Sequence, residues 1–159
     1  MSKVALDEID HQILDILIDN TRIPFTDISK RLLISAGTVH VRVRKMEESG
    51  IIKGSSLNLD YVKLGYSFIA YVGVLIDRSR RTYEIIEELK KKPYVTVAHI
   101  TTGKYNIFLK IRAKGTEHAR EIIFSIDDVE GVLRTETMIS LEESINDKKR
   151  LMKSIFNEL

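Results

Sequence analysis

The sequence of 159 residues contains no cysteine and no tryptophan, only two prolines, and a net charge of only +2. The absence of cysteine excludes a disulfide framework and a thiolate metal site. No apolar run approaches the roughly 18 residues of a membrane span, and the opening MSKVALDEIDHQ lacks the apolar core of a signal peptide. We therefore expect a cytoplasmic protein with one domain or two small ones, each able to bury a core.

Residues that could carry out catalysis or bind a metal are also scarce. The four histidines are His11, His40, His99 and His118. None of them has helical ligand spacing to another histidine together with a companion carboxylate, and they divide between the two halves of the chain. We therefore predict no enzyme, no metal site and no cofactor, and we expect His11 and His118 to be surface residues.

The small net charge conceals an uneven distribution along the chain. Residues 6–29 contain six acidic residues and one arginine, whereas residues 30–53 contain six basic residues and two glutamates. A local concentration of cations is typical of a surface that binds phosphate groups, and such binding depends strongly on salt because counterions are released. The basic stretch is therefore the first candidate for a functional surface.

This basic stretch contains a predicted helix with clear start and stop signals. Ser35 is a suitable N-cap and Gly50 suits the residue after the C-terminus. Val39, Val43 and Met46 recur at helical spacing and predict a buried stripe. The other face is small and cationic, which suits a DNA major groove, although a solvated amphipathic helix has the same pattern. The predicted DNA contacts are Ser35, Gly37, Thr38, His40, Val41, Arg42, Arg44, Lys45 and Lys53.

Two shorter helices are predicted before this one. The first covers residues 7–20, Pro24 breaks the chain, and Thr26 is the predicted cap of the second helix. Their predicted inward residues are Ile9, Ile13, Ile16, Leu17, Ile28 and Leu32. After the third helix, residues 51–60 contain strand-like residues that indicate a small β wing. Residues 1–60 therefore predict a winged helix-turn-helix domain that binds DNA.

The second half of the chain has a different pattern. Residues 61–65 are predicted to be a hinge, and residues 66–142 have the order βαββαβ, which gives an α+β, ferredoxin-like domain. The predicted strands are 66–76, 95–101, 105–113 and 132–141, the predicted helices are 83–89 and 116–126, and residues 143–159 are a final helix or tail. The first strand is apolar on both faces, so we expect a second copy of the chain to bury the bare face of the sheet.

Both halves together resemble the Lrp/AsnC, or feast/famine, family of transcription regulators. The matching segments are LDEIDHQILDILIDNTR, SAGTVHVRVRKMEESGIIKG, LGYSFIAYVGV, TTGKYNIFLKI and GVLRTETMISL, in this order over residues 5–142. The third helix and the TTGKYNIF hairpin are most similar to the asparagine-responsive branch. The resemblance implies dimers that associate further, often to octamers, bend or wrap double-stranded DNA, and respond to a small amino acid bound between dimers.

The resemblance also implies an effector site on the hairpin between the second and third strands. Gly103 can adopt the backbone of a tight turn, and threonine hydroxyls offer donors and acceptors to an amino acid. A plain hairpin with a solvent-facing threonine ladder has the same sequence. Many family members have Asp at the position of Asn106, where a carboxylate could hold an ammonium group. The implied effector residues are Thr101, Thr102, Gly103, Tyr105, Asn106, Thr135 and Thr137. His99 is a further candidate that could line the same region.

Two functions fit this sequence. The first is a transcription regulator whose assembly or DNA binding changes with the effector, with asparagine favoured. The second is an architectural protein that wraps DNA and needs no ligand, so dependence on ligand distinguishes the two. A third possibility, a metabolite sensor with an inactive DNA-binding domain, is excluded if substitution of Arg44 and Lys45 weakens DNA binding.

Overall fold

The computed structural model describes residues 5–147 and 149–157. The chain divides into two compact units, one made of residues 1–58 and 145–159 and the other of residues 59–144. No helix in the described part of the chain has both the length and the apolar character of a membrane span.

The helices are α1 Glu8–Asp19, α2 Phe25–Leu32, α3 Ala36–Glu48, α4 Thr82–Lys90, α5 Thr116–Asp127 and α6 Lys149–Asn157. The strands are β1 Phe68–Ile76, β2 Val95–Ile100, β3 Ile107–Ala113 and β4 Val132–Ile139.

The first two helices begin in different ways. At the start of α1, Asp7 accepts a hydrogen bond from the backbone N–H of Asp10 at 2.9 Å, and the carboxylate of Asp10 accepts one from Asp7 at 3.2 Å. This reciprocal pair is a capping box. α2 begins directly after Pro24, whose carbonyl accepts from Asp27 at 2.9 Å. The predicted Thr26 cap is therefore wrong, because the fixed φ of proline starts the helix two residues earlier.

α3 has the predicted termini. The hydroxyl of Ser35 accepts from the backbone N–H of Thr38 at 3.0 Å, which caps the N-terminus. Gly50 has a φ of 76°, a left-handed conformation that glycine adopts without a steric cost. Gly50 donates to the carbonyl of Glu47 and Ile51 donates to that of Met46, both at 2.9 Å. These two bonds form a Schellman motif, so both helix ends are satisfied by groups close in sequence.

The core of the first unit lies between its helices. The predicted stripe of α3 is confirmed, because Val39, Val43 and Met46 are all buried. Around it lie the buried residues Ile13, Leu14, Ile23 and Ile28 and the half-buried residues Ile9, Ile16, Leu17 and Leu32. Leu14 is absent from the predicted inward set. It is buried because α1 is covered from several sides, by α2, α3 and α6.

The predicted β wing is not formed in this structure. Residues 51–60 contain no strand. Leu57 and Leu59, whose alternation favours a strand, are 71% and 48% exposed. A two-stranded hairpin is marginally stable by itself unless it packs on another apolar surface, and these leucines gain no such burial here.

The second unit has the predicted ferredoxin-like fold. Its four strands are antiparallel in the order β2-β3-β1-β4. The core is formed by alternate residues of the two central strands, such as Val72 of β1 opposite Leu109 of β3, both fully buried together with the inward residues of α4 and α5. The other face of the sheet carries Ile69, Tyr71, Gly73 and Leu75 of β1 and is not covered by a helix of this unit.

The segment that the sequence predicts as a hinge forms a compact turn in the second unit. The Asp60 carboxylate accepts from the backbone N–H groups of Val62 and Lys63, both at 3.1 Å. Arg112 of β3 donates to the carbonyl of Tyr66 at 2.9 Å and lies 4.9 Å from the ring centroid of Tyr61. The chain that enters the sheet is therefore held by a side chain of the sheet itself.

Leu33, in the turn between α2 and α3, provides a test of backbone strain. It is the one non-glycine residue with positive φ among the described residues, at 56°, and its side chain is 92% exposed. A left-handed conformation costs an L-residue about 1–2 kcal/mol, whereas glycine loses about 0.5–1 kcal/mol through chain entropy. We expect Leu33→Gly to stabilise the first unit by up to about 1 kcal/mol in thermal unfolding. The matched control is Leu57→Gly, an exposed leucine without positive φ; equal destabilisation by both substitutions would contradict the strain.

Candidate DNA-binding face and effector site

The outer face of α3 forms one wall of an open cleft of about 650 Å³. Val41 is 68% exposed there and presents an apolar group on the outer face of the helix. Lys45 is exposed one turn further along the same helix. Six of the nine predicted DNA contacts line this cleft, namely Ser35, Gly37, Thr38, Val41, Arg42 and Lys45.

The N-terminus of α3 is small and polar. The hydroxyls of Ser35 and Thr38 lie 2.8 Å apart, so they form a hydrogen-bonded pair above the first turn. Gly37 is exposed, and a Cβ there would meet only Ser35 Oγ, at 3.7 Å. A helix N-terminus favours negative charge because its N–H groups point outward. This end of α3 can therefore approach a phosphate or a base edge closely.

Arg42, one of the predicted DNA contacts, forms ion pairs within the first unit. Its guanidinium donates to Asp7 at 2.7 Å and to Asp10 at 2.8 Å, and its side chain is only 26% exposed. Hydrogen bonds from Arg42 to Asp10 and Asp7 raise the pKa of Arg42 above its ordinary value. The pKa of Asp7 is lowered, first by the backbone N–H of Asp10 and then by Arg42. Arg42 thus joins α3 to the N-terminus of α1.

The remaining cations are more accessible. Arg44 pairs with Glu48 at 2.9 Å, but both side chains are more than half exposed, and such a pair is weak enough to exchange for a phosphate. Lys45 and Lys53 are exposed, the latter in the irregular segment after α3. His40 is exposed with its ring edge-on to Phe25, 5.6 Å between centroids. His40, Arg44 and Lys53 lie outside the cleft lining.

The hairpin between β2 and β3 is closed by its own side chains. Thr101 donates from its backbone to the carbonyl of Asn106 at 3.0 Å, and from its hydroxyl to the carbonyl of Tyr105 at 2.8 Å. Gly103 has a φ of 102°, which requires glycine. The Asn106 side-chain oxygen accepts from the backbone N–H of Ile76 at 3.1 Å. An aspartate side chain at this position can accept the same bond.

A polar cluster that the sequence does not predict joins this hairpin to β4. Tyr105 donates to Glu136 at 2.7 Å, Arg134 donates to the same carboxylate at 2.6 Å, and Lys104 donates to it as well. The bonds from Lys104 and then Tyr105 hold the pKa of Glu136 below its ordinary value. The ring of Tyr105 lies directly over Gly73 of β1. The one feature of the sequence that indicates this contact is Gly73, a glycine in an otherwise apolar strand.

The predicted effector residues divide between the two faces of the sheet. Thr135 and Thr137 stand opposite Val74 and Val72 in the register, so they lie on the face that the helices cover, at its outer edge. Glu136 lies on the open face. His99 also lies on the open face, opposite Phe108, and is exposed. Thr101, Thr102, Gly103, Tyr105 and Asn106 are together in the hairpin.

The prediction that His11 and His118 are surface residues is wrong. His11 is only 7% exposed within α1. His118 is half-buried, with its ring 4.4 Å from that of Tyr94, and its Nδ1 accepts from the backbone N–H of Lys114 at 3.3 Å. Within residues 5–147 and 149–157, no group of three or more histidine or carboxylate side chains is arranged to hold a metal ion.

A helix-turn-helix unit with an exposed recognition helix, joined to a ferredoxin-like unit with a polar hairpin, defines a DNA-binding regulator with a ligand-binding domain. A family model described as winged helix-turn-helix DNA-binding matches residues 6–53, and a model of the Lrp/AsnC ligand binding domain matches residues 69–149. The chain belongs to the Lrp/AsnC family of transcription regulators. Its named relatives are regulators, so the prediction that it is not an enzyme is confirmed.

Known proteins of this family are similar over most of their length. The regulatory protein AsnC of Haemophilus influenzae is 34% identical over 141 residues, which cover 88% of this chain and 94% of that protein. The solved structure of Escherichia coli AsnC has a TM-score of 0.87 at 29% identity and covers 90% of this chain and 97% of that one. A Neisseria meningitidis regulator solved with L-Met has a TM-score of 0.85 at 20% identity, over 91% and 95% of the two chains.

Arg42 and Lys45 give a matched test of the DNA-binding face. We expect Arg42→Ala to destabilise the first unit by about 1–3 kcal/mol, because it removes charge-assisted hydrogen bonds to a largely buried Asp10. We expect Lys45→Ala to leave the melting temperature unchanged, but to weaken DNA binding and reduce its salt slope by about one. Thermal unfolding and DNA titration at several salt concentrations measure both. Unchanged DNA affinity and salt slope in Lys45→Ala would contradict this assignment.

Gly73 tests the packing of Tyr105. A Cβ at Gly73 would lie 2.5 Å from the Tyr105 ring, so the ring must shift and its bond to Glu136 is strained. We expect Gly73→Ala to destabilise the second unit by about 1–3 kcal/mol and to speed amide hydrogen exchange across residues 101–106. Gly115→Ala is the control, since a Cβ there meets nothing within 4 Å and its φ is extended. Equal rates of amide hydrogen exchange for residues 101–106 in Gly73→Ala and Gly115→Ala would show that the Tyr105 ring does not hold the hairpin.

Proposed function

We propose that this protein binds specific DNA sequences as a dimer, and that its DNA binding or assembly responds to a small amino acid bound between dimers. Asparagine is the favoured effector, and the cytoplasm is the proposed location. The observation that carries the proposal is the hairpin turn held by Gly73, Tyr105 and Glu136, because a turn fixed in this way is pre-organised for a ligand. DNA recognition, dimer formation and effector binding are each supported by a different surface of the chain.

DNA recognition rests on the outer face of α3. Thr38, Val41 and Lys45 present a hydroxyl, an apolar group and a cation along one side of the helix. Hydroxyl and methyl groups can contact base edges, whereas lysine contacts phosphate or guanine. One such helix offers few base contacts, so two half-sites read by two copies of the chain supply the specificity.

Dimer formation rests on the open face of the sheet. The rings of Tyr71 and Phe108 are stacked there at 5.9 Å, and Phe108 lies 6.1 Å from Tyr105. Met138 of β4, beside Tyr71 in the register, is 43% exposed. An aromatic and apolar face of this kind is buried most simply by the same face of a second copy.

Effector binding rests on the polar groups at the hairpin. Exposed Thr102 and the left-handed Gly103 can offer hydroxyl and N–H groups to a carboxylate. Glu136 stays ionised and can attract an ammonium group. Thr135 and Thr137 lie on the opposite face of the edge strand from Glu136, so the proposed site between dimers lies at this edge of the sheet. A Neisseria meningitidis regulator was solved with L-Met, so methionine is the first alternative effector to test.

One observation favours the architectural alternative. The hairpin already uses much of its hydrogen-bonding capacity internally, since Thr101 is bonded to Tyr105, Asn106 to Ile76, and Glu136 to three donors. A protein that wraps DNA without a ligand would need this hairpin only for assembly. In that case substitutions in the hairpin would alter oligomer size and leave no ligand dependence to measure.

Calorimetric titration with asparagine, then methionine and other amino acids, tests the proposal while light scattering follows assembly. We expect saturable heat with asparagine that is lost in Thr137→Ala and Glu136→Gln. Thr96→Ala is the matched control, an exposed threonine on the other edge strand, and should retain binding. No heat with any amino acid, together with salt-sensitive DNA binding by a large oligomer, would reject the effector in favour of the architectural role.

A further inference from the structure

The C-terminal helix α6 is part of the first unit, although most of it lies outside both family models. The helix-turn-helix model ends at residue 53 and the ligand-domain model ends at residue 149, where α6 begins. α6 packs on α1. Lys149 contacts Asp19, from which 130 residues of chain separate it. This contact therefore needs an explanation other than proximity in sequence.

α6 contributes Met152 to an apolar groove of the helix-turn-helix. Met152 is half-buried and packs against the core of the first unit. The groove has a volume of about 440 Å³. Its walls come from α1 with Leu14 and Leu17, from α3 with Val43, and from residues 51–55, the segment that follows the recognition helix. Met152 thus touches the same groove as the chain that leads away from α3.

Lys149 adds an electrostatic contact on the same face of α6. It donates to the carboxylate of Asp19 and lies 3.6 Å from that of Asp15, and its side chain is only 22% exposed. The hydrogen bond to Asp19 raises the pKa of Lys149 above its ordinary value. Lys149 and Met152 are three residues apart and therefore share one side of the helix. Asp147 accepts from the backbone N–H of Lys149 at 2.8 Å and fixes where α6 starts.

We propose that α6 is a C-terminal clasp of the DNA-binding unit. Met152 forms one wall of the groove. Through this wall, α6 holds residues 51–55 against the helix-turn-helix and positions Lys53 beside the end of the recognition helix. The chain crosses between the two units twice, after residue 58 and after residue 144. β4, which carries the proposed effector residues, is joined to the clasp by residues 140–148. If the proposed effector site is correct, the clasp gives β4 a second covalent route to the DNA-binding unit.

Two matched pairs of substitutions in the full-length protein without ligand test the clasp. Lys149→Glu places an acid against Asp15 and Asp19, whereas Arg150→Glu makes the same charge change at an exposed neighbour. Met152→Asp places a charge in the groove, whereas Leu151→Asp does so at a side chain that is 69% exposed. We expect Lys149→Glu and Met152→Asp to speed amide exchange in residues 51–55 and to weaken DNA binding about fivefold more than their controls.

The outcomes separate the clasp from the proposed effector response. Restored protection in the charge-swapped pair Lys149→Glu with Asp19→Lys would support the clasp. Equal exchange in residues 51–55 for the variants and their controls would overturn it, whether or not asparagine binds. Failure of asparagine to bind leaves these measurements interpretable, because none of them uses ligand.

Cross-linking determines whether the clasp closes within one chain. The natural protein has no cysteine, so Lys149→Cys with Asp19→Cys introduces the only two thiols. A short bifunctional thiol reagent should join them within one chain, giving a product of monomer size on a denaturing gel. A cross-linked product of dimer size would overturn the proposal as stated, because α6 would then clasp the DNA-binding unit of a second copy.

Discussion

Burial of Val39, Val43 and Met46 determines the rest of the first unit. These three side chains fix the rotation of α3 about its own axis, and the ion pairs of Arg42 with Asp7 and Asp10 fix the same rotation from the margin of the stripe. Helical geometry then places Thr38, Val41 and Lys45 on the opposite, outward face of α3. The outward position of these candidate DNA-binding residues is therefore a consequence of the core.

In the second unit, the two-residue period of the strands determines which side chains are buried and which lie on the open face. Alternate residues of β1 and β3 build the core, so every residue between them must lie on the open face. Gly73 is one of these, and its missing side chain leaves the space that the ring of Tyr105 occupies. The hydroxyl of Tyr105 then reaches Glu136. A single small residue in a strand thus brings the hairpin and the edge strand together.

Local patterns predicted most of the fold. The caps and buried stripe of α3 depend on residues close in sequence, and the order of strands and helices along the chain follows from period and turn signals. The partners of Arg42 lie 32 and 35 residues away, and Glu136 lies 31 residues from Tyr105, so no local pattern indicates either contact. The predicted wing is wrong for a related reason, because strand-like residues favour a strand but do not supply the surface on which it packs.

The DNA-binding unit is discontinuous in sequence, since residues 145–157 belong to it together with residues 5–58. A protease that cuts the linker after residue 58 therefore does not separate the two units, which stay joined through residues 140–148. A fragment that ends near residue 60 would lack Met152, which lines the groove together with Leu14, Leu17 and Val43. For this chain, a fragment that keeps every described contact of the first unit includes residues 145–147 and 149–157 as well as residues 5–58.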